Sequence, residues 1–207
     1  MLRQSPDTPG TQERPMARIP YPDLSKASPD TQEMIGRLPA PINVFSMLAH
    51  ADTLVKPVMK LGGAILAKTK LDPLLRELAL LHAVKLEGGD YEWVQHVPVA
   101  LNFGATQVQI DALEKGDDGA ACFSASEQAA LKLTREVVVD VRAKPATLEA
   151  ARKYYSDREI VELIVMAGFY IMLARLTETT GVENEPSIAD KMLSDINAWK
   201  DKRKAGA

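Results

Sequence analysis

From residue 42 onward the chain is cut at short intervals by residues that start or stop helices. Between the cuts the apolar residues recur at three and four positions, the period of an amphipathic helix. Residues 42–49 and 52–68 fit that period, with Leu54, Val58, Met59, Leu61 and Ile65 in step and Pro57 in the early turns of the second segment. Asp72-Pro73 predicts a capped start for a helix over 73–87, and Gly88-Gly89 predicts its stop. Residues 90–103 form the next helix, with Pro98 inside it and Gly104 after it. Thr106 caps a short helix reaching Lys115, and a glycine-rich break follows over 116–119. Ser124 or Ser126 caps a helix to about 142, Pro145 opens one to Tyr155, and Ser156 or Asp157 caps a long apolar helix to about 180. No segment alternates apolar and polar residues between hairpin turns, so the expected class is all-α.

The flanks read differently. Residues 1–16 are polar and proline-rich and are expected to form a loose tail. An extended approach, Arg18-Ile19-Pro20-Tyr21-Pro22, leads to a short helix capped near Ser28 or Asp30. Pro39-Ala40-Pro41 ends that segment, and Pro186 opens a polar C-terminal helix over 187–207.

An offset of 85 residues sets the chain against itself. It pairs Asp72 with Asp157, Leu75 with Ile160, Glu77 with Glu162, Leu78 with Leu163 and Leu81 with Met166. Both stretches read as a capped, largely apolar helix with a Glu just past the first turn, which suggests an internal duplication. The first copy spans about 52–115 and the second about 124–182. The second carries Leu176, Thr177 and Gly181 where the first carries Tyr91, Glu92 and His96. The first copy is therefore the one expected to keep chemistry.

Charge and cysteine content narrow the function classes. Twenty-five Lys and Arg against 28 Asp and Glu leave a net charge of -3, which gives no drive toward a phosphate backbone. Nucleic acid is not an expected partner, and the Lys200–Lys204 run reads as a solvated helix end. The single cysteine, Cys122, cannot form an internal disulfide, in keeping with a reducing cytoplasm. The longest apolar run, Ile160 to Ala174, contains Glu162 and is shorter than the roughly 20 residues of a membrane span, so no membrane partner is expected.

Three features carry candidate chemistry. Glu77 has Pro73, Leu74, Leu80 and Leu81 as its helical neighbours. A carboxyl buried among them would have a raised pKa, as a general acid or base needs. The alternative is a structural ion pair with Arg76, Arg158 or Arg175. Glu92 and His96 stand four apart on one helix and share a face, so the carboxylate could orient the imidazole as an acid/base dyad. The alternative is a surface pair. Tyr91 and Trp93 flank Glu92 as an aromatic wall for a small substrate, and His82 is a further candidate contact. His50, His82 and Cys122 offer no third and fourth ligand at a recognisable spacing, so no metal is expected.

The stretch Arg76-Glu77-Leu78 through Tyr91-Glu92-Trp93-Val94-Gln95-His96 resembles the carboxymuconolactone decarboxylase domain, whose superfamily includes alkylhydroperoxidase D. Further matching segments are Ala17 to Pro22, Asn43-Val44-Phe45 with Leu48-Ala49-His50, Met172 to Arg175, and Gly181-Val182-Glu183. The resemblance extends over roughly residues 17–186. The peroxidase branch carries a Glu, a Cys-x-x-Cys twelve residues later, and a His four residues after the second cysteine. Counting from Glu77 places the first cysteine at Gly89, the second at Glu92 and the His at His96. The Glu and the His match, and both cysteines are absent.

The resemblance implies an alkylhydroperoxidase D-like helical bundle forming a homo-oligomer (dimer, trimer or hexamer). Thiol peroxidase chemistry is not expected, because a carboxylate cannot replace either sulfur step. What remains is proton transfer without a cofactor, as a lyase or isomerase acting on a small lactone, keto or carboxylic acid. His96 is the expected acid/base, with Glu92 orienting it and Glu77 as a second proton carrier. Arg76 and Lys85 are the candidate carboxylate clamps. The competing expectation is a non-catalytic helical binder or assembly scaffold.

Overall fold

Helix starts fall where the capping residues predict them. The computed structural model describes residues 17–38 and 40–185, and the expected tail over 1–16 and polar helix over 187–207 lie outside the described residues. The order is α1 (Pro29–Gly36), α2 (Asn43–Leu48), α3 (Asp52–Lys68), α4 (Pro73–Glu87), α5 (Asp90–Asn102), α6 (Gln107–Glu114), α7 (Ala125–Val139), α8 (Pro145–Arg152) and α9 (Asp157–Thr180), with no strand among the described residues. Ser28 and Asp72 accept hydrogen bonds from the backbone N–H groups of Thr31 and Leu75. Thr106, Ser124 and Ser156 form full capping boxes with Gln109, Glu127 and Glu159. Each such cap stabilises its helix by about 1 kcal/mol.

Two helices end earlier than their apolar patterns run. α7 stops at Val139 rather than near 142, because Val141 adopts a left-handed φ of 68°. The Glu136 carboxylate takes the Lys144 N–H and the Thr147 hydroxyl across that turn. α8 stops at Arg152 rather than Tyr155.

α4 is the axis of the bundle. Every residue from Leu75 to Val84 is buried, with α5, α6, α7 and α9 packed around it. A helix apolar on all sides belongs at the centre. Fully buried Leu78, Leu80 and Leu81 each contribute about 2 kcal/mol of transfer free energy. Central placement also buries Arg76, Glu77 and His82, which must then find partners within the bundle.

The stretches paired at offset 85 lie on α4 and α9, which pack against each other. α4 stops at Gly88-Gly89, whereas α9 runs unbroken through the corresponding Leu173-Ala174. Among the described residues α9 alone is long and apolar enough to cross a membrane, and half of that stretch is buried inside the bundle. Its outer side exposes Val161, Val165 and Met172.

The segment after α9 closes the fold over α2 and α5. The Thr180 carbonyl accepts from Arg18 N–H, and Glu183 accepts from Ala17 N–H and the Tyr21 hydroxyl. Asn43 donates to the Glu183 carbonyl, which brings Glu185 beside α5.

Candidate active site

Glu77 has no exposed surface, and a carboxylate in that position requires partners. Arg76 donates to Oε1 through Nε at 3.1 Å and Nη2 at 3.0 Å, and His96 Nδ1 lies 2.9 Å from Oε2. Burial alone would raise this carboxyl, but the His96 hydrogen bond and the Arg76 charge outweigh it and hold the pKa below the ordinary value. The sequence expectation of a raised Glu77 is therefore reversed: the ion pair with Arg76 and the bond to His96 coexist on one carboxylate. An ionised carboxylate only accepts, so Nδ1 carries the imidazole proton. In that tautomer the second ring nitrogen, Nε2, carries a lone pair.

His96 lines a cavity of about 300 Å³. Its ring meets Tyr170 edge-on at 4.9 Å. Phe45, Phe169, Tyr170, Leu173 and Met59 give the cavity apolar walls, and its polar groups come from Tyr91, Glu92, Gln95, His96 and Glu185. Glu77 itself does not line the cavity. It meets the cavity only by way of the hydrogen-bonded His96 ring.

Glu92 is the carboxyl that burial raises, to about 7, with the Thr177 hydroxyl partly offsetting the shift. Thr177 Oγ1 lies 3.2 Å from both Glu92 oxygens. The expected Glu92–His96 hydrogen bond is absent among the described residues. Sharing a face of α5 places both side chains on the cavity, but the His96 Nδ1 edge turns to α4. Glu92 and Thr177 stand 85 residues apart in the chain, so the positions matched by the internal offset touch each other.

Other expected contacts lie elsewhere. Tyr91 lines the cavity and donates to Glu185 Oε1 at 2.7 Å. Trp93 is not on the cavity wall. It packs between the two largest core clusters, with the Lys85 ammonium 5.2 Å from its ring centre. His82 is also off the cavity, because five residues carry it about 140° around α4 from Glu77. It is fully buried, with Nε2 3.4 Å from Asp118 Oδ2, a contact too poorly aligned for a hydrogen bond. Burial lowers its pKa to about 4. Neither candidate clamp faces the cavity: Arg76 is bound to Glu77 and to the Leu66 carbonyl, and Lys85 rests on Trp93.

Residues not singled out from sequence complete the site: Thr177, Tyr170, Phe169 and Glu185. Only Thr177 carried a signal, through the offset that pairs it with Glu92.

Gly88 closes α4 with a left-handed φ of 73°, which favours glycine. Gly89 is glycine for a different reason. A Cβ there would lie 2.8 Å from the Ala174 Cβ and 3.3 Å from Glu92 Oε2. The position that the resemblance assigns to a first cysteine is thus filled from α9 and by the Glu92 carboxyl. Cys122 stands before α7 against the core cluster of Leu78 and Leu81, away from the cavity lining. Among the described residues no group of three or more His, Cys, Asp or Glu could hold a metal ion.

The profile of the carboxymuconolactone decarboxylase family matches residues 53–136, which contain α4, α5 and the Glu77–His96 pair. No curated protein matches the chain significantly in sequence. Among solved structures, the fold is similar to an alkylhydroperoxidase AhpD core, an uncharacterized peroxidase-related protein from Ralstonia eutropha JMP134. That likeness has a TM-score of 0.72 and 19% identity, over 84% of this chain and 94% of that one. An uncharacterized peroxidase-related protein from Silicibacter sp. TM1040 is similar at TM-score 0.70 and 17% identity, over 84% and 95% of the two chains. The debrominase Bmp8 in complex with 2,3,4-tribromopyrrole is similar at 0.62 and 15%, over 81% and 87%. At these identities the likeness is one of fold: an all-α, alkylhydroperoxidase D-like bundle.

Proposed function

From the carboxymuconolactone decarboxylase family match over residues 53–136 and the alkylhydroperoxidase D-like fold, we propose that the chain is a cofactor-free lyase or isomerase of that superfamily, working by proton transfer on a small organic molecule. The observation that carries the reading is the ordered line Arg76–Glu77–His96 ending at the cavity, with the raised carboxyl of Glu92 one helical turn away.

The chemistry follows from the protonation states. His96 Nε2 takes a proton from a carbon beside a carbonyl, and the C–H electron pair becomes a C=C bond. The carbonyl oxygen takes the Glu92 proton, giving an enol, an imidazolium and a carboxylate. In a β,γ-unsaturated substrate the product is a dienol; His96 returns the proton at its γ-carbon, the O–H proton returns to Glu92, and the C=C bond has moved into conjugation without change of oxidation state. Glu77 stabilises the imidazolium by keeping its negative charge at Nδ1–H, as a buried carboxylate does for an acid/base histidine. Peroxide reduction is not proposed, since neither Gly89 nor Glu92 supplies a thiolate.

The test is deuterium uptake from D2O into the α-carbons of a panel of cyclic ketones and unsaturated γ-lactones, followed by proton NMR. The wild-type chain should exchange at least one of them well above background. His96→Gln should lose roughly 10²–10⁴ of that rate while its circular dichroism is unchanged. Equal rates would remove His96 from the mechanism. Peroxide turnover with a thiol reductant, above that of Glu92→Ala, would restore the peroxidase reading.

We also assign the outer strip of α9 to a homo-oligomer contact in a cytoplasmic protein. The strip exposes Val161, Val165 and Met172, an apolar surface that a second copy would cover. Sedimentation of Val165→Glu should show a smaller species than wild type.

A further inference from the structure

The cavity lining discriminates among the lactone, keto and carboxylic acid classes. Among the described residues no Lys or Arg lines the cavity, whereas two carboxyls do, Glu92 and Glu185. The nearest cation in the network, Arg76, is unavailable. Nε and Nη2 bind Glu77, Nη1 binds the Leu66 carbonyl, and the guanidinium plane rests on Phe103 at 5.5 Å. An anion entering this space would meet two carboxyls and aromatic walls, with no Lys or Arg among the lining residues to offset its lost hydration.

Glu185 adds a positive requirement. Tyr91 donates to its Oε1, while its Oε2 is buried with no hydrogen-bond partner among the described residues. Burial raises the pKa of this carboxyl, although the Tyr91 hydrogen bond works against it. A buried acceptor without a donor is a vacancy that a ligand's O–H or N–H can fill.

We propose that the cavity takes a single-ring-sized, mainly apolar molecule that is uncharged or cationic, presents a hydrogen-bond donor to Glu185 Oε2, and is not a carboxylate. A volume of about 300 Å³ is at the small end for ligand pockets and limits the occupant to about one ring with a short substituent. The inference rests on the acid/base reading for its consequence: a substrate without a carboxylate has no carbon dioxide to lose. Proton transfer then means isomerisation or elimination rather than decarboxylation.

The test is binding, not turnover. The full chain is titrated at pH 8 with 2-phenylethanol, 2-phenylethylammonium and phenylacetate, probes that share one ring and differ in the charged or donor group. Protein NMR shifts at Tyr91 and His96 report occupancy. The alcohol or the ammonium should bind at least tenfold tighter than phenylacetate, and which of the two leads identifies an uncharged or a cationic occupant. Glu185→Gln, which offers an amide donor in place of one carboxylate oxygen, should shrink that preference at least threefold. Phenylacetate binding as tightly as the other two overturns the proposal, and so does an absence of binding by all three. A folded Glu185→Gln with an unchanged preference also overturns it. The wild-type ranking decides on its own if that variant does not fold. Proton-exchange activity could fail with this ranking intact, and the ranking could fail with activity intact.

Discussion

Glu77 and Glu162 occupy matching points on two similar helices, yet one anchors a site and the other a scaffold. On α4, Glu77 is fully enclosed and joins Arg76 to His96. On α9, Glu162 keeps 15% of its side chain exposed, pairs with Arg158, and accepts the Lys70 and Leu71 N–H groups of the α3–α4 connector. Burial works to raise both carboxyls, and partners hold both below the ordinary value. The difference lies in what stands opposite. α4 breaks at Gly88-Gly89, so α5 can fold back and set His96 against Glu77, whereas α9 continues straight and no such return occurs.

Glu77→Ala should strand the Arg76 charge in the core and lose roughly 3–5 kcal/mol in urea unfolding. Glu162→Ala loses an exposed ion pair and connector hydrogen bonds, about 1–2 kcal/mol. Equal losses would mean that burial does not separate the two sites.

Glu92→Gln removes the raised carboxyl from the cavity. The folded pKa of about 7 stands above the reference value of 4.5, so the native state holds an extra proton between those limits. The stabilising contribution of that protonation is complete below the unfolded value and is lost as pH rises through about 7. At pH 8–9 the Gln variant should exceed wild type by roughly 2–4 kcal/mol, and the two should converge toward pH 4.5. Catalysis should show the matching loss, since Glu92 gives up its acid role as pH rises through about 7. Parallel stability curves across that range would refute the raised carboxyl.

Gly89→Ala tests the closed approach between the two helices. The new Cβ would press on Ala174, costing about 1–3 kcal/mol, and Ala174→Gly in the same chain should recover part of the loss. Additive losses in the double variant would mean that the two positions do not touch.

Helix positions were legible because Ser28, Asp72, Thr106, Ser124 and Ser156 act through hydrogen bonds made within three residues of themselves. Glu92 and His96 were legible as neighbours because helical spacing fixes which side chains share a face, whereas Glu77, on another helix, was tied to His96 only by the family resemblance. Roles within the cluster were not legible. Spacing on α5 suggests that Glu92 pairs with His96, but the packing of α5 on α4 and α9 sends His96 to Glu77 and Glu92 to Thr177. The same tertiary choice removes Trp93 and His82 from the cavity wall. Glu185 comes from a segment with no helical period, placed by contacts to Tyr91 and Asn43 that no local pattern announces.

If Glu77 fixes the tautomer of His96, long-range proton–nitrogen NMR of the imidazole at pH 8 reads it directly. The wild-type chain should show a protonated Nδ1 and a bare Nε2. A protonated Nε2 with a bare Nδ1 would leave the ring unable to donate to Glu77 or to take a proton in the cavity, and would contradict the mechanism.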